Sequence, residues 1–124
     1  MTIRFLTKMI KDSDEKVVDF TSQLKLDYWE DYEAYIFSDP NSNTEIRIEI
    51  SEKKINIFQS YATVNLELNK DLPSTLSTEY GNLNFIYRML EFKKEENYIY
   101  FNYDLFFADK KFISNHTVEL FINK

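Results

Sequence analysis

Between Thr44 and Ile50, Ile46, Ile48 and Ile50 occupy one parity of the chain while Glu45, Arg47 and Glu49 occupy the other. Alternate residues of an extended backbone project to the same face, so this is the signature of a strand with one face buried and one in water. No window of comparable length spaces its apolar residues by three, four and seven, as a long amphipathic helix would. The chain is therefore mostly or wholly β.

Turn chemistry divides it. KDSDE at 11 to 15, WEDY at 29 to 32, DPNSN at 39 to 43, SEKK at 51 to 54, KKEEN at 93 to 97 and ADKK at 108 to 111 read as hairpin connections. Strands are expected near 2 to 10, 16 to 28, 33 to 38, 44 to 50, 54 to 61, 62 to 69, 76 to 92, 98 to 107 and 112 to 123. Segments of this length, hairpin after hairpin, predict one domain over 1–124: a single antiparallel up-and-down barrel of about 8–10 strands. Parity shifts near residue 62, where a bulge or bend at Tyr61 would restore the inward face. NKDLPSTLS, 69 to 77, contains Pro73 and is the longest expected irregular connection.

YIYFNYDLFF at 98 to 107 places six aromatic rings in ten positions. Matching apolar faces across KKEEN pairs Phe92 with Tyr98, and sets Met89 against Phe101, Tyr87 against Tyr103, Phe85 against Leu105 and Leu83 against Phe107. Across Asp109-Lys110 the same demand sets Phe107 against Phe112, Phe101 against Val118, Ile99 against Leu120 and Tyr103 against His116. A slip of one residue would turn Arg88 and Asp104 inward, at several kcal/mol per unpaired ion. His116 then looks inward, in a wall of Phe85, Tyr87, Phe101 and Tyr103. The outward face carries Ile86, Leu90, Phe92, Tyr98, Tyr100 and Phe106, too apolar to stay wet, so a second copy of the protein (a homodimer) or the 69 to 77 connection is expected to cover it.

The order and spacing of these strands resemble the YwiB-like family, an uncharacterised bacterial family with a lipocalin-like (calycin) β-barrel. The resemblance runs from Ile3 to about Ile122, through VVDF at 17 to 20, YEAYIFSD at 32 to 39, TEIRIEISEKKINIFQSYA at 44 to 62, TEYGNLNF at 78 to 85 and IYFNYDLFF at 99 to 107. Its best local match is Tyr80-Gly81, where the family turns sharply into its long strand; Gly81 is the single glycine, and close backbone approach is the expected reason for it. Where the family pattern has Arg-Ser-Gly, this chain reads Gln59-Ser60-Tyr61. The resemblance implies a fold and no activity.

Charge and composition narrow the function. Fifteen basic against 21 acidic residues give a net charge of −6 with no basic stripe, which argues against nucleic acid even though outward Tyr98, Tyr100 and Phe106 resemble a base-stacking platform. With no Cys, disulfides, thiolate catalysis and Cys-ligated metals are excluded. The N-terminal residues alternate rather than form a signal peptide's apolar run, and no run reaches the roughly 18 apolar residues of a spanning helix, so a cytoplasmic location without membrane association is expected.

No cofactor is implied, since one glycine cannot build a phosphate-cradling loop and no Gly-x-Ser-x-Gly elbow occurs. Glu30, Asp31 and Glu33 of WEDYE read as a solvated acidic turn rather than a metal site. The leading expectation is a non-enzymatic module that takes a small amphipathic ligand in the barrel mouth, bound by His116, Tyr103, Tyr87, Phe85 and Phe101. The alternative is an interaction protein working through its outer aromatic face. A third reading is an enzyme with His116 as general base, the one side chain whose ordinary pKa suits proton transfer near neutrality.

Overall fold

A computed structural model describes residues 1–59 and 62–124; Ser60 and Tyr61, where a bulge and the departure from the family's Arg-Ser-Gly were expected, lie outside the described residues. The described residues form eleven strands: β1 (Thr2–Lys11), β2 (Asp14–Gln23), β3 (Lys25–Trp29), β4 (Tyr32–Asp39), β5 (Thr44–Ile50), β6 (Lys54–Gln59), β7 (Ala62–Glu67), β8 (Asp71–Thr78), β9 (Gly81–Lys94), β10 (Tyr98–Phe107) and β11 (Phe112–Asn123). No helix long and apolar enough to cross a membrane occurs among the described residues.

The strands make two sheets and no closed barrel. One has the order β2-β1-β11-β10-β9-β8, the other β3-β4-β5-β6-β7, and neither closes on itself. The expected single calycin-like barrel is overturned by two breaks in the ladder. At Leu24 the segment expected as one strand, 16 to 28, splits into β2 and β3, and its corner is held by the Leu24 N–H donating to the Met1 carbonyl at 3.0 Å. At Leu68 and Asn69 the chain crosses back. The Leu68 amide donates to the Lys53 carbonyl (3.0 Å) and the Asn69 amide to that of Met89 (2.9 Å), without a ladder between β7 and β8. Alternation fixes which face of a strand is buried but not which strands share a ladder, and burial is met here by laying one sheet on the other.

The core lies between the sheets. Phe5 and Phe20 of the six-stranded sheet meet Phe37 of the other with ring centroids 5.2 to 6.1 Å apart. Ile46, Ile48 and Ile50 are buried, as the alternation demanded, beside Ile55, Leu66, Met89, Ile99, Phe101 and Leu120. Each such side chain withdrawn from water contributes about 1.5–3 kcal/mol.

Three local expectations change. Asp71–Thr78 is not an irregular connection but an edge strand on β9, where Pro73 is tolerated, and so it does not cover the outer face. In the β9–β10 ladder Phe101 faces Phe92, Tyr103 faces Met89 and Phe107 faces Phe85, with a bulge that leaves Leu90 without an opposite residue. The extra residue turns Phe92, expected outside, inward against the core. In β10–β11 the expected pairs Phe101–Val118, Ile99–Leu120 and Tyr103–His116 are formed, but a bulge at Ile113 sets Phe112 against Phe106 instead of Phe107. Phe107 and Leu83, expected inside, are each 50% exposed.

Candidate functional site

A cleft of about 390 Å³ lies between the sheets. Register places one row of the six-stranded sheet along it: Lys16 on β2 faces Met9 on β1, Met9 faces His116 on β11, and His116 faces Tyr103 on β10. The next row, Val18, Thr7 and Val118, continues the wall toward Phe5. Ile46, Ile48 and Ile57 form the facing wall, and the exposed Lys16 and Gln59 with half-buried Asp39 mark the mouth.

His116 is held from two sides. Its ring lies parallel to that of Tyr103, centroids 4.7 Å apart and planes 5° from coincident. Ser114, two residues away on the same strand and buried, is 2.8 Å through its Oγ from His116 Nε2. Ser114 does not line the cleft, so it positions the imidazole and is out of reach of a substrate. Burial lowers the His116 pKa, against a weaker upward pull from Asp104, so the ring is neutral at pH 7. Burial raises the Tyr103 pKa, with Tyr87 adding to it, so its hydroxyl keeps its proton.

Every sealed side-chain nitrogen and oxygen among the described residues has a hydrogen-bond partner. His116 Nδ1 and the Tyr103 hydroxyl have none among those residues. Both are therefore reached by solvent, and the open space beside both residues is the cleft.

Of the five expected ligand-binding residues, His116 and Tyr103 line this cleft. Phe101 is fully buried beside Tyr103, ring centroids 6.3 Å apart, and serves as core. Tyr87 touches the Tyr103 edge at 5.9 Å, yet with Phe85 it lines a separate cleft of about 400 Å³ between β7 and β8. Lys16, Met9 and Thr7 went unnoticed in the sequence, and Gln59 was noted only as the residue standing in place of the family's Arg. Parity could have found Lys16, which shares the face of Val18 and Phe20.

The outer face of the six-stranded sheet is not one apolar patch. Its centre is a polar network: Asn102 Nδ2 donates to Asn115 Oδ1 (3.0 Å) and Thr117 Oγ1 (2.9 Å), and Asn115 Nδ2 donates to Asp104 Oδ1 (2.8 Å). Tyr98 packs on Phe121 at one end and donates to Glu119 Oε2 at 2.7 Å, and Phe106 packs on Phe112 at the other. Ile86, Tyr98, Tyr100 and Phe106 are half-buried, and Leu90 is exposed. Glu30 and Asp31 occupy the β3–β4 turn, while Glu33 pairs with Lys94. No group of three or more metal-ligating side chains occurs among the described residues.

No family model matches the chain, and no curated protein is similar to it. Its fold is shared with a solved structure, the crystal structure of the ywiB protein from Bacillus subtilis: TM-score 0.68, covering 99% of this chain and 91% of that one, at 10% sequence identity. Identity this low makes the likeness one of fold. The expected YwiB-like fold is supported, whereas the calycin barrel is not.

Proposed function

We propose that the protein is a non-enzymatic binding module whose cleft takes a small amphipathic molecule. The observation that carries this reading is a pair of polar atoms without a partner among the described residues, His116 Nδ1 and the Tyr103 hydroxyl, beside Val18 and Val118 on one wall and across from Ile46, Ile48 and Ile57 on the other. A mostly apolar recess with a few convergent polar groups is how small-molecule sites are built, and about 390 Å³ lies at the small end of their range. Catalysis is the weaker reading, because Ser114, the hydroxyl nearest the imidazole, stands outside the cleft.

Titration with a neutral amphiphile such as 1-octanol, followed by NMR, tests the reading. Shifts at His116, Tyr103, Ile48 and Val118, abolished when Thr7→Phe fills the cleft, are the expected result. Shifts confined to the outer face, or surviving Thr7→Phe, would overturn it.

A further inference from the structure

The hydrogen-bonding sense of the cleft follows from Ser114. A buried hydroxyl needs an acceptor for its proton, and His116 Nε2 is its one partner among the described residues. Ser114 therefore donates, and the neutral imidazole carries its hydrogen on Nδ1, the nitrogen that faces the cleft. His116 is thus a donor there, and so is the Tyr103 hydroxyl.

The third member of the row adds a charge. Lys16 stands on the inner face of β2, level with Met9, and Met9 is level with His116. Neighbouring strands are about 4.8 Å apart, so a lysine two strands away is long enough to extend over Met9 in the direction of the imidazole. Lys16 has no carboxylate within ion-pair distance among the described residues, whereas neighbouring Lys8 is paired with Glu15 at 3.4 Å. Asp39, the one carboxylate on the cleft wall, belongs to the other sheet and accepts from the Asn41 amide at 2.8 Å. One wall thus offers the Lys16 ammonium and two neutral donors, and the other offers aliphatic side chains, with Asp39 and Gln59 at its mouth.

Resting on the reading of the cleft as a ligand site, we infer that its ligand carries one anionic group, a carboxylate or a phosphate monoester, on a short aliphatic chain. The anion lies along Lys16, His116 and Tyr103, and the chain lies on Ile46, Ile48 and Ile57.

Calorimetric titration with octanoate, octyl phosphate, 1-octanol and octylamine separates the possibilities. Hydrogen bonds to a charged partner of this kind predict about tenfold tighter binding of the anionic compounds than of 1-octanol, and weaker binding of octylamine. The ratio of octanoate to octyl phosphate assigns the head group. Lys16→Met, with Lys16→Glu as a second variant and unfolding curves as a check on folding, brings the anionic compounds to the level at which the same variant binds 1-octanol. Equal binding of octanoate and 1-octanol in the native protein, or an anion preference that survives Lys16→Met, overturns the inference while the cleft reading stands. Binding of none of the four, 1-octanol included, overturns both.

Discussion

The rings of Tyr103 and His116 lie parallel, 4.7 Å apart, on neighbouring strands in register. The tyrosine covers one face of the imidazole, and burial makes the charged form costly. His116 is the only histidine in the chain, so its titration is read without overlap. A proton NMR titration is expected to place its midpoint below the ordinary 6.5. With the folded value depressed, the unfolded chain binds more protons between the two values. Stability from this group is therefore complete above the unfolded value and is lost as pH falls from there through the folded one. His116→Gln should flatten the stability profile in that window, and an unaltered slope would contradict the assignment.

Ser114→Ala removes the hydrogen bond to Nε2. The cost is expected to be about 1–2 kcal/mol in urea unfolding, since a buried hydrogen bond is lost with little change of volume. The informative readout is the imidazole nitrogen spectrum. In the native protein the Nδ1–H tautomer is expected to dominate, and in the variant the preference for it should weaken.

Much of this was legible in alternation. The buried face of β5, the β10–β11 pairs around Tyr103 and the inward position of His116 all follow from placing apolar residues on one side. Pairing between sheets was not legible, because Leu24 and Leu68, where the chain changes sheet, are ordinary apolar residues whose switch is made by backbone hydrogen bonds to Met1 and Lys53. Bulges were equally silent. One extra residue at Leu90 reverses the face of Phe92, and nothing in its local composition marks it. The cleft was half legible: its aromatic side came from register, while Lys16 was read only as the start of a strand.

Glu33 and Lys94 tie the two sheets together at the end away from the cleft. Lys94 Nζ is 3.0 Å from Glu33 Oε1, and the Tyr35 hydroxyl donates to Oε2 at 2.8 Å. Burial pushes the Glu33 pKa up, but the hydrogen bonds from Lys94 and Tyr35 hold it, on balance, below the usual carboxylate value of 4.5. Stability from this group is therefore present above the unfolded value and lost as pH falls through the folded one. Both side chains are more than a third exposed, so solvent screening keeps the pair to about 1 kcal/mol or less. Glu33→Gln is expected to cost that much at neutral pH and nothing once the native carboxylate is protonated. Unfolding curves at several pH values check it.

Gly81 starts β9 with φ at +117°, and a Cβ built there meets no atom within 4 Å. The glycine is therefore required by backbone conformation, and the close approach suggested by sequence is absent. Gly81→Ala is expected to cost about 1–3 kcal/mol through strain alone. Tyr80→Ala beside it, at a residue 93% exposed, should stay within about 0.5 kcal/mol. Equal losses in the two variants would contradict a conformational origin.

Pro73 lies in β8, the last strand of the six-stranded sheet, opposite Ile86. An outermost strand presents unpaired backbone groups to any other chain, and a proline there removes one donor and fixes φ against a regular ladder. The same edge borders exposed Leu76 and Leu83, a combination that would otherwise favour edge-to-edge pairing. Pro73→Val is therefore expected to change unfolding stability by less than about 1 kcal/mol, because the residue is exposed and the β8–β9 ladder stays intact. Light scattering should instead report concentration-dependent growth of the variant where the native protein shows none. A variant that loses stability without associating would mean that Pro73 shapes the strand rather than guarding its edge.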